Sequence, residues 1–166
     1  MSGFHIRPAV DGDIQEIYRM ATELAVFLEG LEEFKTTEES LRRDRKYYEC
    51  FVVEDSSTSS SDSAPKPLIG YAMFHYTFSS WDGRAAFLND MYVSADHRGK
   101  GIGKELLKTV AKDVLENGCE VMDWWVLDWN SKAIEFYKSH GAINLTELDR
   151  IHTYRMSKSN LEKLAS

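Results

Sequence analysis

Cysteine is scarce in this sequence: Cys50 and Cys119 are the only two among 166 residues, and both lie in apolar segments. No C-x-x-C motif is present, and the five histidines lack the spacing of a metal site. These absences exclude a disulfide framework and a zinc-binding motif. We therefore expect two free, buried thiols, a reducing cytoplasmic compartment and no bound metal.

Basic charge and long hydrophobic runs are also lacking. Lysine and arginine number 20 against 27 aspartates and glutamates, so the formal net charge is −7 at pH 7. No basic stripe is available for phosphates, which excludes nucleic acid as the main partner, whereas an acidic body suits a cationic substrate. Residues 1–7 contain no long apolar run, so we expect no signal peptide and no membrane span.

What is present is an ordinary globular composition, with 43% hydrophobic and 28% charged residues. The length fits one core, so a single domain is expected over residues 1–166. The hydrophobic patterns predict the element order β-α-α-β-β-β-α-β-α-β-β. This order indicates the α/β (α+β) class, with a mixed central sheet flanked by helices.

The predicted strands and helices run from one end of the chain to the other. Strands are expected at residues 4–9, 48–53, 68–78, 84–93, 121–127, 142–145 and 151–156. Helices are expected from a cap at Asp11 or Asp13 to residue 28, from a capping box of Thr36 and Glu39 to residue 41, at 102–117, at 130–139, and in a short tail capped by Ser159 with Glu162. The polar residues 55–67 predict a loop between two strands.

A glycine-rich segment connects the strand predicted at 84–93 to the helix predicted at 102–117. It consists of Arg98, Gly99, Lys100, Gly101, Ile102 and Gly103. Free amides and the dipole at a helix N-terminus favour a phosphate, and glycines let the backbone approach it. In the phosphate loop of nucleotide hydrolases, G-x-x-x-x-G-K-[ST], the lysine follows the last glycine, whereas here it lies between glycines. The dinucleotide fingerprint is G-x-G-x-x-G, whereas this segment has G-x-G-x-G. The segment therefore predicts a pyrophosphate site of another kind.

This R-x-x-G-x-G pattern resembles the coenzyme A loop of the Gcn5-related N-acetyltransferases (GNAT). A second pattern, N-x-x-A-x-x-F-Y-x-x-x-G-A at residues 130–142, is typical of the same superfamily. Further pieces, spread from end to end, are similar to the spermidine/spermine acetyltransferase branch and especially to its thialysine acetyltransferase member. They include residues 6–9, 23–25, 80–84, 127–130 and 145–147.

The resemblance implies the GNAT fold and transfer of acetyl from acetyl-CoA directly to a primary amine of a small molecule. The amine would be a thialysine-like amino acid, a diamine or a polyamine, and the enzyme would be a homodimer. Two alternatives stay open: a protein lysine or N-terminal acetyltransferase, and a module that binds acetyl-CoA without turnover.

The resemblance also implies which residues bind the donor. Backbone groups of Met91, Tyr92 and Val93 would hold the thioester and the pantetheine arm, and a splayed strand there would leave N–H groups free. The remaining donor-binding residues would be Arg98, Gly99, Lys100, Gly101, Ile102, Gly103, Lys104, Asn130, Lys132, Ala133 and Tyr137. For Arg98 and Lys104 a solvated surface role is an equal alternative.

Tyr137 is the residue expected to act as the acid. The leaving thiolate needs a proton, and a phenol with an ordinary pKa of about 10 can donate it. The alternative is a packed core tyrosine. Asn130 would bind the pantetheine arm, cap its helix, or do both.

The expected acceptor residues depart from the spermidine/spermine pattern. They are Phe27, Leu28, Ser79, Trp81, Asn89 and Asp90. Relatives have a glutamate where this chain has Asn89, and an amide cannot act as a base. Asp90 could substitute, or waters beside Asn89 could carry the proton away. Leu28 and Ser79 replace acidic residues, so efficient spermine binding is not expected.

Overall fold

The computed structural model describes residues 3–57, 66–149 and 153–165. It divides into two compact units, Met1–Trp125 and Val126–Ser166. The first unit contains a mixed sheet with helices, as the sequence predicted, but the sheet has five strands where seven were predicted. The single domain expected over residues 1–166 stays a prediction.

The sheet of the first unit has the strand order β1-β2-β3-β4-β5. Its strands are β1 (Phe4–Pro8), β2 (Glu49–Asp55), β3 (Leu68–Ser79), β4 (Gly83–Val93) and β5 (Val121–Asp123). Strands β1 to β4 pair antiparallel in succession, whereas β5 pairs parallel to β4. The change of direction follows from the helix that connects β4 to β5.

The helices of the first unit are α1 (Ile14–Phe27), α2 (Glu38–Arg43) and α3 (Ile102–Glu116). Short 3₁₀ turns lie at Asp11–Asp13, Arg45–Tyr47 and Ala95–His97. The second unit contains α4 (Ser131–Ser139), α5 (Leu145–Asp149) and α6 (Lys158–Ala165).

The core lies between α1 and one face of the sheet. The buried stripe of α1 packs with Tyr71 and Met73 of β3 and Tyr92 of β4. Tyr76, whose side chain points to the other face, donates a hydrogen bond to Asp113 of α3. Because side chains alternate along a strand, α1 and α3 cover opposite faces of β3 and β4.

Two predicted helix caps are corrected by the structure. The box of α2 uses Thr37 and Ser40, because the Ser40 N–H donates to Thr37 Oγ1 at 3.1 Å and the Thr37 N–H donates to Ser40 Oγ at 2.9 Å. Thr36 and Glu39 were predicted instead. The tail helix begins at Lys158, ahead of Ser159, and Ser157 Oγ accepts the Asn160 N–H at 3.3 Å.

Of the three strands predicted after residue 120, the first is confirmed only in part, and the other two are wrong where the structure describes them. The apolar run 121–127 forms a strand only at Val121–Asp123, and Trp125 is 66% exposed on the surface. Residues 142–145 lead into α5, because Asn144 Oδ1 caps the Thr146 N–H at 3.1 Å. Of 151–156, residues 153–156 form no strand. Residues 151–152, and 58–65 of the predicted polar loop, lie outside the described residues.

Candidate functional site

The far half of β4 has an open edge. β5 ends at Asp123, opposite Phe87, and beyond this point none of the described strands of the first unit pairs with that side of β4. The Ser94 N–H donates to Ile69 O of the β3 side at 2.9 Å. Backbone groups alternate along a strand, so the amides of Met91 and Val93 point to the open edge. These two donors can bind a carbonyl oxygen.

A β-bulge interrupts β4 beside this edge. Met73 of β3 pairs with Asp90, but the next residue, Phe74, pairs with Leu88, so Asn89 has no partner in the ladder. A bulge re-aims side chains and lets two successive residues point to one face. Here Asn89 and Asp90 both project to the face that α1 covers, as their side-chain contacts show.

The carboxylate of Asp90 accepts a hydrogen bond from the Tyr71 hydroxyl. Tyr71, which belongs to the α1 core, donates its hydroxyl to Asp90 Oδ2 at 3.2 Å. Burial raises the pKa of Asp90, and the hydrogen bond from Tyr71 only partly offsets this rise. Loss of solvation destabilises the charged form, so an incoming cation would be a favourable partner for Asp90.

Asn89 contacts a histidine that the sequence reasoning set aside. His75 of β3 places Nδ1 2.8 Å from Asn89 Oδ1, and its ring lies 5.7 Å from that of Phe87. The histidines were dismissed because they lack the spacing of metal ligands. Only the register of the β3–β4 hairpin, including its bulge, could have revealed this pair.

The glycine loop forms a helix N-terminus with free amides. Gly99 and Gly101 have φ angles of +75° and +81°, which only glycine adopts readily. Gly101 is the N-cap of α3, and no side chain caps it. The first amide of α3 to bond within the helix is that of Glu105, to Gly101 O at 3.2 Å. The amides of Ile102, Gly103 and Lys104 therefore face outward, as a phosphate site requires.

Arg98 is fixed at the start of this loop. Its Nε donates to Val93 O at 2.9 Å, and its guanidinium carbon lies 5.2 Å from the Phe27 ring and 5.6 Å from the Tyr92 ring. Tyr92 in turn donates its hydroxyl to Glu23 Oε2 at 2.7 Å. Arg98 is exposed but has these three partners, so both roles expected from the sequence, phosphate binding and a solvated surface position, stay predictions. Phe27, expected in the acceptor site, contacts the donor loop.

Leu28, Ser79 and Trp81 lie elsewhere in the first unit. Leu28 closes α1, with its N–H bonded to Leu24 O at 2.9 Å. Ser79 accepts the N–H groups of Trp81 and Asp82 and thereby builds the β3–β4 turn. Trp81 is 94% exposed. At ~3.4 Å per residue, the strand from Gly83 to Asp90 spans roughly 24 Å, so the turn is distant from the bulge of its own chain.

The second unit carries the remaining predicted residues on α4. Asn130 caps this helix, since its Oδ1 accepts the Ala133 N–H at 3.3 Å, while Lys132 is exposed. The ring of Tyr137 packs edge-to-face with Phe136 at 5.2 Å. Burial raises the pKa of Tyr137 to about 12. The phenol is therefore protonated at neutral pH and can serve as a proton donor.

No group of three or more His, Cys, Asp or Glu side chains in residues 3–57, 66–149 and 153–165 could hold a metal ion. None of the helices in that part of the chain has the length and hydrophobicity needed to cross a bilayer.

Comparison with known sequences gives relatives that match nearly the whole of this chain. A model of the acetyltransferase (GNAT) family matches residues 13–142. The thialysine N-epsilon-acetyltransferase of Bos taurus is 37% identical over 164 residues, 96% of each chain. The spermidine/spermine N(1)-acetyltransferase-like protein 1 of Homo sapiens is 32% identical over 169 residues, 99% of this chain and 24% of that protein.

Comparison with solved structures confirms the predicted fold class. An integron cassette protein from the mobile metagenome of V. cholerae matches with a TM-score of 0.73 at 23% identity, over 99% of this chain and 98% of that one. An aminoglycoside N-acetyltransferase in complex with CoA matches with a TM-score of 0.69 at 16% identity, over 94% and 96%.

Proposed function

This chain belongs to the acetyltransferase (GNAT) family and is an acetyl-CoA-dependent amine N-acetyltransferase, and we propose that its acceptor is the primary amine of a small molecule. A thialysine-like amino acid or a diamine fits best. The observation that carries the proposal is the bulge in β4, because it places Asp90, a carboxylate whose hydrogen-bond partner is a phenol, within three residues of the outward-pointing amides of Met91 and Val93.

The donor is held by the open edge and the glycine loop. The outward amides of residues 102–104 and the Arg98 guanidinium bind the pyrophosphate, with Lys100 and Lys104 adding charge nearby. The N–H of Met91 or Val93 donates a hydrogen bond to the thioester carbonyl oxygen. Such a donor stabilises the negative charge that develops on this oxygen, an effect commonly worth about 3 kcal/mol.

The acceptor amine approaches the face that carries Asp90. An alkylammonium has an ordinary pKa of about 10, so it arrives charged at neutral pH. The Asp90 carboxylate, poorly solvated and without a cationic partner among its hydrogen bonds, pairs with this ammonium. One carboxylate suits a small amine better than a long polycation. The sequence supports this choice, because Leu28 and Ser79 stand at positions that are acidic in the spermidine/spermine pattern.

The chemical step is a direct transfer without a covalent enzyme intermediate. The neutral amine attacks the thioester carbonyl carbon, and the tetrahedral intermediate collapses with loss of the coenzyme A thiolate. Tyr137 donates the proton to this sulfur, and its raised pKa of about 12 keeps the phenol protonated until then. Asn130 and Ala133 lie at the N-terminus of the same helix and bind the pantetheine arm.

An assay of thiol release over a panel of amines tests the function. The panel contains thialysine, lysine, ornithine, short diamines, spermidine, spermine and a lysine-containing peptide. Turnover is expected to be fastest with a thialysine-like amino acid or a diamine and slow with spermine. Turnover of the peptide alone would favour a protein acetyltransferase, and coenzyme A binding without any turnover would favour a binding module.

Tyr137→Phe tests the role of the acid. The variant removes only the hydroxyl, so kcat is expected to fall by about 10²-fold or more while the Kd of coenzyme A changes little. Tyr154→Phe, at a tyrosine that is 91% exposed, is the matched control and should retain full activity. An unchanged kcat in Tyr137→Phe would reject the hydroxyl as the proton donor.

We further propose a cytoplasmic homodimer. The family resemblance supports the dimer, and the two buried free thiols suit a reducing compartment. A second copy could also supply Trp81, which is distant from the bulge of its own chain. Elution from gel filtration near the 19.1 kDa mass of one chain would refute the dimer.

A further inference from the structure

The bulge in β4 pairs an amide with an imidazole. Asn89 Oδ1 lies 2.8 Å from His75 Nδ1, on the sheet face that also carries Asp90. The amide oxygen can only accept a hydrogen bond, so His75 Nδ1 carries the proton in this contact. The second nitrogen of the neutral ring, Nε2, then has a free lone pair. Asn89 thereby selects the tautomer in which Nε2 is basic.

The imidazole of His75 packs against an aromatic ring and borders a cavity that is open to solvent. Phe87 of β4 packs against it with ring centres 5.7 Å apart. His75 lines a cavity of about 230 Å³ together with Tyr48, Glu49 and Tyr76. The cavity lies where β2 begins, opposite Phe74, so β3 has no partner on that side from His75 onward in the described residues. A proton on the ring can therefore leave to water.

The other groups at the bulge do not offer an equivalent base. Asn89 is an amide and has no basic nitrogen. The Asp90 carboxylate accepts a hydrogen bond from Tyr71 and is the charge that we assign to pairing with the ammonium. Histidine is the side chain whose charge ordinarily changes between pH 5 and 8, which suits a base at neutral pH.

We propose that His75 is the general base of the acetyl transfer, with Asn89 as the positioning residue that orients its ring. The proposal rests on the proposed function. Nε2 takes one proton from the acceptor ammonium, and the nitrogen lone pair so released forms the C–N bond at the thioester carbonyl carbon. The C–S bond breaks with its electron pair on sulfur, and Tyr137 protonates the sulfur.

The remaining protons balance. The nitrogen of the tetrahedral intermediate gives up its second proton, which restores the Tyr137 phenol. The imidazolium of His75 returns its proton to water through the cavity. One proton is thus released for each amide formed, and the enzyme returns to its starting state.

His75→Gln is the principal test, because glutamine can still donate a hydrogen bond to Asn89 but cannot take a proton. At pH 7 we expect kcat/KM for the best amine to fall by about 10²-fold, with the KM for acetyl-CoA within about two-fold of wild type. The deficit should shrink towards pH 10, where the amine loses its proton unaided. His5→Gln, at an exposed position on β1, should match wild type throughout.

Several other titratable groups lie near His75 and bear on the pH dependence of kcat/KM. The titratable or charged groups around His75 are Lys46, Tyr47, Tyr48, Glu49 and Tyr76 in the cavity, and Tyr71 and Asp90 on the sheet face. Burial raises the pKa of Tyr48, Tyr71 and Tyr76 above the ordinary tyrosine value, so these phenols stay neutral between pH 6 and 9.

A rescue variant separates catalysis from structure. His75→Gln combined with Asn89→Glu restores a carboxylate where the resembling enzymes have one, and should recover at least about ten-fold of the lost kcat/KM. If His75→Gln does not fold, Asn89→Leu, which frees the ring, should give a smaller loss with the same pH dependence. A deficit that is equal at pH 7 and pH 10, or absence of rescue, would overturn the role of His75. Absence of turnover in the wild type would instead overturn the proposed function.

Discussion

Two carboxylates of the first unit, Asp13 and Asp90, occupy opposite electrostatic environments. Asp13 accepts hydrogen bonds from both terminal nitrogens of Arg7, at 2.6 and 2.9 Å, and from the Val10 N–H at 2.8 Å. The Arg7 guanidinium holds the pKa of Asp13 below its usual value. Asp90 has a phenol as its hydrogen-bond partner, and burial raises its pKa. The first carboxylate is stabilised as an anion, and the second is not.

The difference separates an ion pair that stabilises the fold, at Asp13, from a carboxylate in the candidate functional site, Asp90. Arg7 also donates to Glu54 Oε1 at 2.7 Å and so joins β1, β2 and the start of α1. Its own pKa is raised by these partners. Asp90 has no such cation among its hydrogen-bond partners, and in the proposed function an ammonium substrate supplies this positive charge. A carboxylate with a raised pKa at an open strand edge is typical of a functional site.

Among the variants that test this comparison of carboxylates, Asp90→Asn is expected to have the largest effect on activity. Asp90→Asn removes the charge that pairs with the ammonium, and loss of one member of such a pair costs about 2 kcal/mol, so the kcat/KM for the amine should fall by about 30-fold. Steady-state kinetics at pH 7 measure this. The coenzyme A Kd is the internal control and should not change.

The same variant should not be less stable at neutral pH. A raised pKa means that folded Asp90 binds its proton more tightly than the unfolded chain does, so its ionisation costs stability as the pH rises above 3.8. Thermal unfolding should give a Tm at pH 7 equal to or above that of wild type, with the gain vanishing near pH 3.5. A clear loss of Tm at pH 7 would mean that Asp90 is a structural anion like Asp13.

Asp13→Asn, unlike Asp90→Asn, is expected to lower the stability of the fold at neutral pH. It leaves Arg7 partly buried without its closest partner, and we expect a loss of about 2 kcal/mol in the free energy of unfolding at pH 7. Folded Asp13 has a lowered pKa, so its contribution is present above pH 3.8 and disappears as the pH falls through the folded value.

Urea unfolding at pH 7 and at acidic pH measures this difference. The gap between wild type and Asp13→Asn should close in acid, while the kcat of the folded variant stays at the wild-type level. A gap that is independent of pH would assign the loss to packing rather than to charge.

The smallest effect is expected at Phe27. Its aromatic ring, and not a carboxylate, lies against the positive charge of Arg98. A cation–π contact of this kind contributes about 1 kcal/mol, so Phe27→Ala should raise the KM for acetyl-CoA by about five-fold. Val26→Ala, at a neighbouring exposed position, is the control. A rise in the KM for the amine alone would return Phe27 to the acceptor site expected from the sequence.

The segments that the sequence predicted well are those with strong local signals. The strand before the glycine loop, the loop itself and α3 follow from a β-rich run, two glycines with positive φ and an apolar stripe at helical spacing. The strand predicted at 142–145 is wrong because Asn144 caps a helix where the apolar pattern indicated a strand. Short apolar runs do not distinguish the two, and the capping side chain decided.

The sequence by itself determined the reaction class, because the coenzyme loop and the tyrosine motif are contiguous patterns whose chemistry depends on neighbouring residues. It also predicted that the acceptor side departs from the polyamine-using enzymes that it resembles at Asn89. Only the tertiary structure decided what surrounds that position. A single extra residue in β4 changes which side chains share a face, and this register brings His75 to Asn89 and Tyr71 to Asp90.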